Sequence, residues 1–238
     1  MEGFKNRPDC QSKAYQRFRH RPHSNPLADN NIPLPAVNAD EFPYNDFYPE
    51  QNFSSFSLID IGCGYGDFIC KMASEYSQKS FLGLEIRDKA AAIAQQQIID
   101  KRETESCLLN AAVLRCNVMR QLPILVSKGS VEAFSIMFAD PQFKQQNKRR
   151  RVLTQSFAIE LQYYLQSKGL ILCCTDVQEL SEAMDEGVKE SGLFEKIDTQ
   201  DGLCASFLKH LNQTADAQRH LRKDDDKTIY VSVWKKLI

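Results

Sequence analysis

The hydrophobic pattern of the chain changes near residue 53. Beyond it, short apolar runs alternate with stretches in which apolar residues recur every three or four positions. The first kind suits buried strands and the second amphipathic helices. Strands are expected over 57–61, 80–85, 111–116, 133–138, 169–175, 194–198 and 228–235, and helices over 67–76, 88–102, 151–166 and 177–191. Alternation of the two predicts an α/β fold, a mostly parallel sheet with right-handed crossovers and helices on both faces. The stretch 201–226 gives no helical period, and the place of the last strand in the sheet is left open. The apolar stripe Leu180, Met184 and Val188 reads as ordinary core, as do Phe157, Tyr163 and Tyr164.

Before residue 53 the texture differs. Seven of the nine prolines lie there, from Pro8 to Pro49. Proline removes a backbone donor and disfavours helix in the residue before it. Residues 1–50 therefore read as an extended arm outside the core, and 51–238 as the domain proper. Arg17, Arg19, Arg21 and His23 make the arm cationic.

Composition narrows the class only a little. A chain of 238 residues with 42% hydrophobic positions forms one large domain, or one domain with an arm. Its 30 basic and 31 acidic residues give a net charge of −1, so only local clustering points to a nucleic-acid partner. The eight cysteines contain no C-x-x-C, and no histidine stands at zinc-finger spacing from a pair. A reducing compartment and no metal are expected. No apolar run has membrane length, and no signal-peptide core is visible. The Arg-rich start resembles a transit peptide, but Glu2 and Asp9 interrupt it.

Two stretches carry candidate chemistry. In L-I-D-I-G-C-G-Y-G-D-F, the first strand runs into Gly62, Gly64 and Gly66 at G-x-G-x-G. Asp67 holds the place of the third glycine of a dinucleotide turn. Glycines allow a tight turn and a close backbone approach to a ligand. Asp60 precedes the turn, and Glu85 ends the next strand, where an acidic side chain suits the two hydroxyls of an adenosine ribose. The acidic surround disfavours a pyrophosphate and favours a sulfonium with one ribose, S-adenosylmethionine. In F-A-D-P-Q-F-K-Q-Q-N-K-R-R-R, Asp140 at a strand end is followed by Lys144, Lys148, Arg149, Arg150 and Arg151. One sign suits a base edge rich in N–H donors, the other a phosphate.

In this order, R-H-R-P-H-S-N-P (19–26), D-I-G-C-G-Y-G (60–66), G-L-E-I-R (83–87), L-R-C-N-V-M (114–119), F-A-D-P-Q-F-K (138–144) and Thr175-Asp176 resemble the tRNA (guanine-N7-)-methyltransferases in their eukaryotic form. The resemblance implies a class I S-adenosylmethionine-dependent methyltransferase fold, Rossmann-like. It implies methyl transfer to N7 of a guanosine in tRNA, in the variable loop. Gly62, Gly64, Glu85, Ile86, Arg87, Asn117, Val118 and Met137 would contact S-adenosylmethionine, with Thr214 and Asp216 from the stretch Q-T-A-D-A-Q-R. There the family carries a Thr followed closely by Glu, so Asp216 shortens one carboxylate. Asp140 matches the family's active-site aspartate, and Asp176 a carboxylate near the target guanosine. Arg21, His23, Lys144, Arg149, Arg150 and Arg151 would contact RNA. Ala139 replaces a usual proline, and Gln142 an aromatic or His.

The family's eukaryotic members work with a non-catalytic WD-repeat subunit, so the resemblance implies such a partner. The run Lys148–Arg151 also reads as a nuclear-import patch, and a nuclear location is expected, with the cytoplasm as alternative. Two other readings stay open: a class I methyltransferase with another acceptor, RNA or protein, and a non-catalytic RNA-binding relative.

Overall fold

A computed structural model describes residues 25–27, 32–49, 55–198, 203–211 and 228–238. Its centre is one seven-stranded sheet. The strands are β1 Leu58–Ile61, β2 Phe81–Glu85, β3 Ala111–Arg115, β4 Val131–Met137, β5 Leu165–Thr175, β6 Phe194–Ile197 and β7 Tyr230–Lys236. The helices are α1 Asp67–Glu75, α2 Asp88–Glu105, α3 Val118–Leu125, α4 Gln155–Tyr164, α5 Gln178–Ser191 and α6 Leu203–Leu211. The spatial order is β3-β2-β1-β4-β5-β7-β6. The first five run parallel, and β7 is antiparallel to both of its neighbours.

The sheet is buried on both faces, so its strands read as apolar runs whose side chains sort with a period of two. Leu58, Phe81 and Ala133 pack with Phe68, Ile69 and Met72 of α1, Ala94 of α2 and Phe207 of α6. Ile59, Leu82 and Phe134 face the other way, towards Leu122 of α3, Phe157 and Leu161 of α4, and Leu180, Met184 and Val188 of α5. The α5 stripe is thus core, as its spacing predicts. Tyr163 departs from that expectation. It is half exposed, with Lys128 Nζ 5.6 Å from its ring centre.

Three features correct the sequence reading. The described part of the arm does not stay out of the core. Phe42, Tyr44 and Tyr48 are buried in the α3–α5 layer. The Tyr48 hydroxyl donates to the Phe81 carbonyl at 2.8 Å, and that of Tyr44 to the Leu125 carbonyl. The segment packs three aromatic rings into the core, and each large buried ring contributes about 1.5–3 kcal/mol by its apolar burial. Two helices also escaped notice. α3 is eight residues long with Pro123 inside it. α6 occupies the stretch expected to lack a helix, with Phe207 edge-on to Phe68 at 5.5 Å. Finally, α4 starts at Gln155, capped by the Thr154 hydroxyl, which accepts from Phe157 N. The basic run before it forms a separate 3₁₀ turn, Gln145–Arg150. Arg150 and Arg151 therefore do not oppose the α4 dipole.

Candidate active site

In an open α/β sheet ligands bind outside the carboxyl ends of the strands, where the strand order reverses. Here the reversal falls between β1 and β4. Five strand ends meet there around one cavity of about 640 Å³. β1 delivers Ile61 and Gly62, β2 delivers Glu85, and Cys116 and Asn117 follow β3. Met137 to Asp140 follow β4, and Asp176 follows β5.

At one end of the cavity lies the glycine turn. Gly62 has φ of +80°, a left-handed value that a side chain would strain, and a Cβ there would stand in open space. That space is open to a ligand touching backbone. At Gly66, also +80°, a Cβ would press on Ala94 Cβ at 3.1 Å, so this glycine lets α1 start close against α2. Glu85 is 3% exposed. Its carboxylate accepts from Gly64 N at 3.0 Å and from Arg87 N at 2.8 Å. The Arg87 guanidinium adds Nε to one oxygen and Nη2 to the other, at 3.1 and 3.0 Å. Such charge-assisted bonds fix the carboxylate in place. Behind it, burial pushes the Asp60 carboxyl up to about 7. A bond from Ser135 Oγ at 2.7 Å opposes this rise, and the Glu85 charge adds to it.

Asn117 joins this end to the N-terminal segment. Its Nδ2 donates to the Pro26 carbonyl at 2.7 Å, and Pro26 lines the cavity. Gln121 accepts from Asn117 N and donates to the Ile32 carbonyl at 2.7 Å. The arm thus builds one wall of the site, which its proline-rich composition does not reveal.

At the other end stands the loop after β4. Phe138 and Gln142 have φ of +47° and +49°. Left-handed backbone at such side chains costs about 1–3 kcal/mol each and persists only where the surroundings enforce it. Between them, Asp140 accepts from Gln142 N at 3.1 Å and from Gln142 Nε2 at 2.7 Å. Arg151 braces the loop from behind. Its Nε donates to the Pro141 carbonyl at 2.9 Å, and its Nη2 meets Glu179 of α5 at 2.8 Å. Arg151 is only 7% exposed. The expected contact between this residue and RNA is therefore corrected: the guanidinium is committed inward, to the loop.

Of the expected site residues, Gly62, Glu85, Ile86, Arg87, Asn117, Val118, Met137, Asp140, Arg150 and Asp176 line the one cavity. Gly64 reaches it through its bond to Glu85. Lys144 and Arg149 are exposed outside it. Arg21, His23, Thr214 and Asp216 lie outside the described residues. Sequence reasoning missed Pro26, Gln121 and Phe143 as parts of this region. Among the described residues, no cluster of three His, Cys, Asp or Glu side chains is placed to hold a metal ion. No described helix is long and apolar enough to cross a membrane.

Comparison with known proteins adds to this geometry. Residues 54–231 match the model of a family described as a putative methyltransferase. A tRNA (guanine-N(7)-)-methyltransferase of Meyerozyma guilliermondii is 32% identical over 232 residues, covering 94% of this chain and 84% of its own. Its Arabidopsis thaliana counterpart is 32% identical over 215 residues, 86% and 85% of the two chains. The chain belongs to the tRNA (guanine-N(7)-)-methyltransferase family. Solved structures agree at the level of fold. An antibiotic-related methyltransferase superposes with a TM-score of 0.55 at 14% identity, covering 87% of this chain and 97% of the other. The 16S rRNA methyltransferase KamB gives 0.52 at 15%, covering 78% and 95%.

The methyl donor of this methyltransferase is S-adenosylmethionine, and the residues present fit it. The buried Glu85 carboxylate is an acceptor for ribose hydroxyls, Gly62 leaves backbone open, and Asn117 and Val118 wall the cavity beyond the β3 end. Ten of the expected site residues thus line one place, at the carboxyl ends of the strands.

Proposed function

We propose that this chain methylates N7 of a guanosine in tRNA, in the variable loop, producing 7-methylguanosine. The observation that carries the reading is the shared cavity. Glu85 and Asn117 stand at one end of it, and the carboxylates Asp140 and Asp176 just past the ends of β4 and β5. Bound at the Glu85 end, S-adenosylmethionine supplies an electrophilic methyl on a sulfonium.

N7 of guanine carries a lone pair and no proton, so the reaction needs no general base. The task of the protein is to position the two reactants and exclude water. Guanine presents N1–H and an exocyclic amino group, both donors, and ionised Asp140 and Asp176 are acceptors. Adenine lacks the N1–H, so the same carboxylates select the base. They also favour the positive charge that arrives on the purine during transfer, because N7 methylation makes N1–H a stronger donor. Gln142 holds Asp140 through both carboxylate oxygens, and Arg151 holds the loop. The target base must leave its stack to enter such a cavity. Lys144 and Arg149, exposed beside the mouth, supply sequence-independent attraction to the RNA backbone, joined by Arg21 and His23 from the arm.

A net charge of −1 supports a requirement for help in gripping a whole tRNA, and the reading includes a WD-repeat partner and a nuclear location. The test is nucleoside mass spectrometry of tRNA incubated with S-adenosylmethionine and this chain, alone and with a WD-repeat partner. New 7-methylguanosine that disappears in Asp140→Ala supports the reading. Cofactor binding with no 7-methylguanosine in either arm overturns it and points to another methyl acceptor.

A further inference from the structure

Four consecutive cations, Lys148 to Arg151, end the loop beyond Asp140, and the structure separates them. Glu179 holds two: Lys148 Nζ at 3.0 Å and Arg151 Nη2 at 2.8 Å, both on Oε1. Arg149 points to solvent. Arg150 alone of the four lines the cavity that contains Asp140 and Asp176. Its Nε is withdrawn from solvent and has no hydrogen-bond partner among the described residues. A buried donor left unpaired is costly, so its retention calls for an acceptor brought by a ligand.

Three considerations identify that acceptor. A guanidinium cannot give up its charge, and its planar fork matches an oxyanion with two oxygens in reach. A donor on N7 itself would occupy the lone pair that attacks the methyl. A cation set elsewhere on the purine would oppose the positive charge arriving there, whereas a phosphate beside it neutralises the guanidinium. We propose that Arg150 grips the phosphate of the target nucleotide, the one whose base enters the cavity. It would act as a positioning residue that fixes how far the base enters and aligns N7. The proposal rests on the tRNA reading above. It assigns one internal phosphate to one side chain, and it removes Arg151 and Lys148 from the RNA surface.

The experiment uses the full chain, with its partner if one is required, and tRNA carrying a neutral methylphosphonate at either phosphate flanking the mapped target guanosine. Wild type, Arg150→Gln and Arg150→Lys are compared by kcat and KM for tRNA. Arg150→Gln should lose about a hundredfold in kcat/KM, a size typical of misplaced reactants. Most of the loss should fall on kcat, and Arg150→Lys should recover part of it. The slope of log(kcat/KM) against log salt should fall by about one. S-adenosylmethionine affinity should stay at the wild-type value, and the melting temperature should not fall below it. Neutralising one flanking phosphate should slow wild type similarly and cost Arg150→Gln nothing further. Equal losses from that linkage in wild type and Arg150→Gln overturn the assignment, as does a wild type indifferent to both linkages. If Arg150→Gln fails to fold, the same comparison is read from Arg150→Lys, whose sensitivity to the neutral linkage must fall between none and that of wild type. Absence of 7-methylguanosine from wild type on unmodified tRNA is a separate result. It overturns the tRNA reading, and the phosphate proposal falls with it.

Discussion

The two ends of the cavity are built differently. At the Glu85 end, the special backbone conformations belong to glycines, and the carboxylate is held by residues within the glycine turn or two positions away. At the Asp140 end, Phe138 and Gln142 hold left-handed conformations that only outside support can maintain. That support is Arg151, braced on Glu179, 28 positions further along the chain. The first end is locally encoded and relaxed; the second is strained and held at a distance. Substitutions should therefore break the first only at its own residues, and the second also from behind.

The largest effect should follow Asp140→Ala, which removes an acceptor for the base and leaves the Glu85 end intact. Transfer should fall by about a hundredfold to a thousandfold, the usual size of a lost transition-state contact. Calorimetry should show S-adenosylmethionine binding unchanged, and parallel loss of binding would erase the proposed division of the cavity. Glu85→Ala should do the opposite. Loss of its charge-assisted acceptor should weaken cofactor binding by about tenfold to a hundredfold, from about 1.5–3 kcal/mol per such bond, with tRNA affinity retained in a filter-binding assay. Next comes Arg151→Ala. It should cost about 1–3 kcal/mol in denaturant unfolding, because it orphans the Pro141 carbonyl and part of Glu179, and should lower kcat without changing cofactor affinity. Arg149→Ala, two positions away on the surface, should leave stability within about 0.5 kcal/mol.

A last effect is one of pH dependence and concerns Asp60. The folded carboxyl keeps its proton up to about pH 7, against an ordinary value of 3.8. Between those values the folded state binds more protons than the unfolded one, so this group's contribution to stability is full below about 4 and declines as the pH rises to about 7. Asp60→Asn should flatten that decline, as read by melting temperature across the window.

How legible each part was in the sequence follows the same division. The seven strands and four of the helices were visible because apolar runs and periodic stripes reflect burial directly. α3 was not, because Pro123 interrupts it and its eight residues span little more than two turns. α6 was hidden because its nine residues make only about two and a half turns inside an otherwise polar stretch. Gly62, Glu85 and Asp140 were legible because a parallel sheet collects its strand ends at one edge, whatever their separation along the chain; Asn117 and Asp176 came only from the resemblance of their motifs. The inward role of Arg151 was not. In a run of four cations, nothing local distinguishes the one that folds back onto a distant glutamate. Nor does proline content reveal that Tyr44 and Tyr48 lie under the sheet, or that Pro26 meets Asn117.

The position of β7 has a consequence for how the chain is made. β6 lies at the sheet edge and pairs with β7, which alone joins it to β5. During synthesis β6 emerges well before β7, and until then the open flank of β5 has no partner within the sheet. The nascent chain must carry an exposed, apolar strand edge through that interval, when a foreign strand could pair with it. Completion of β7 both closes that edge and recruits β6, so its synthesis doubles as protection against aggregation.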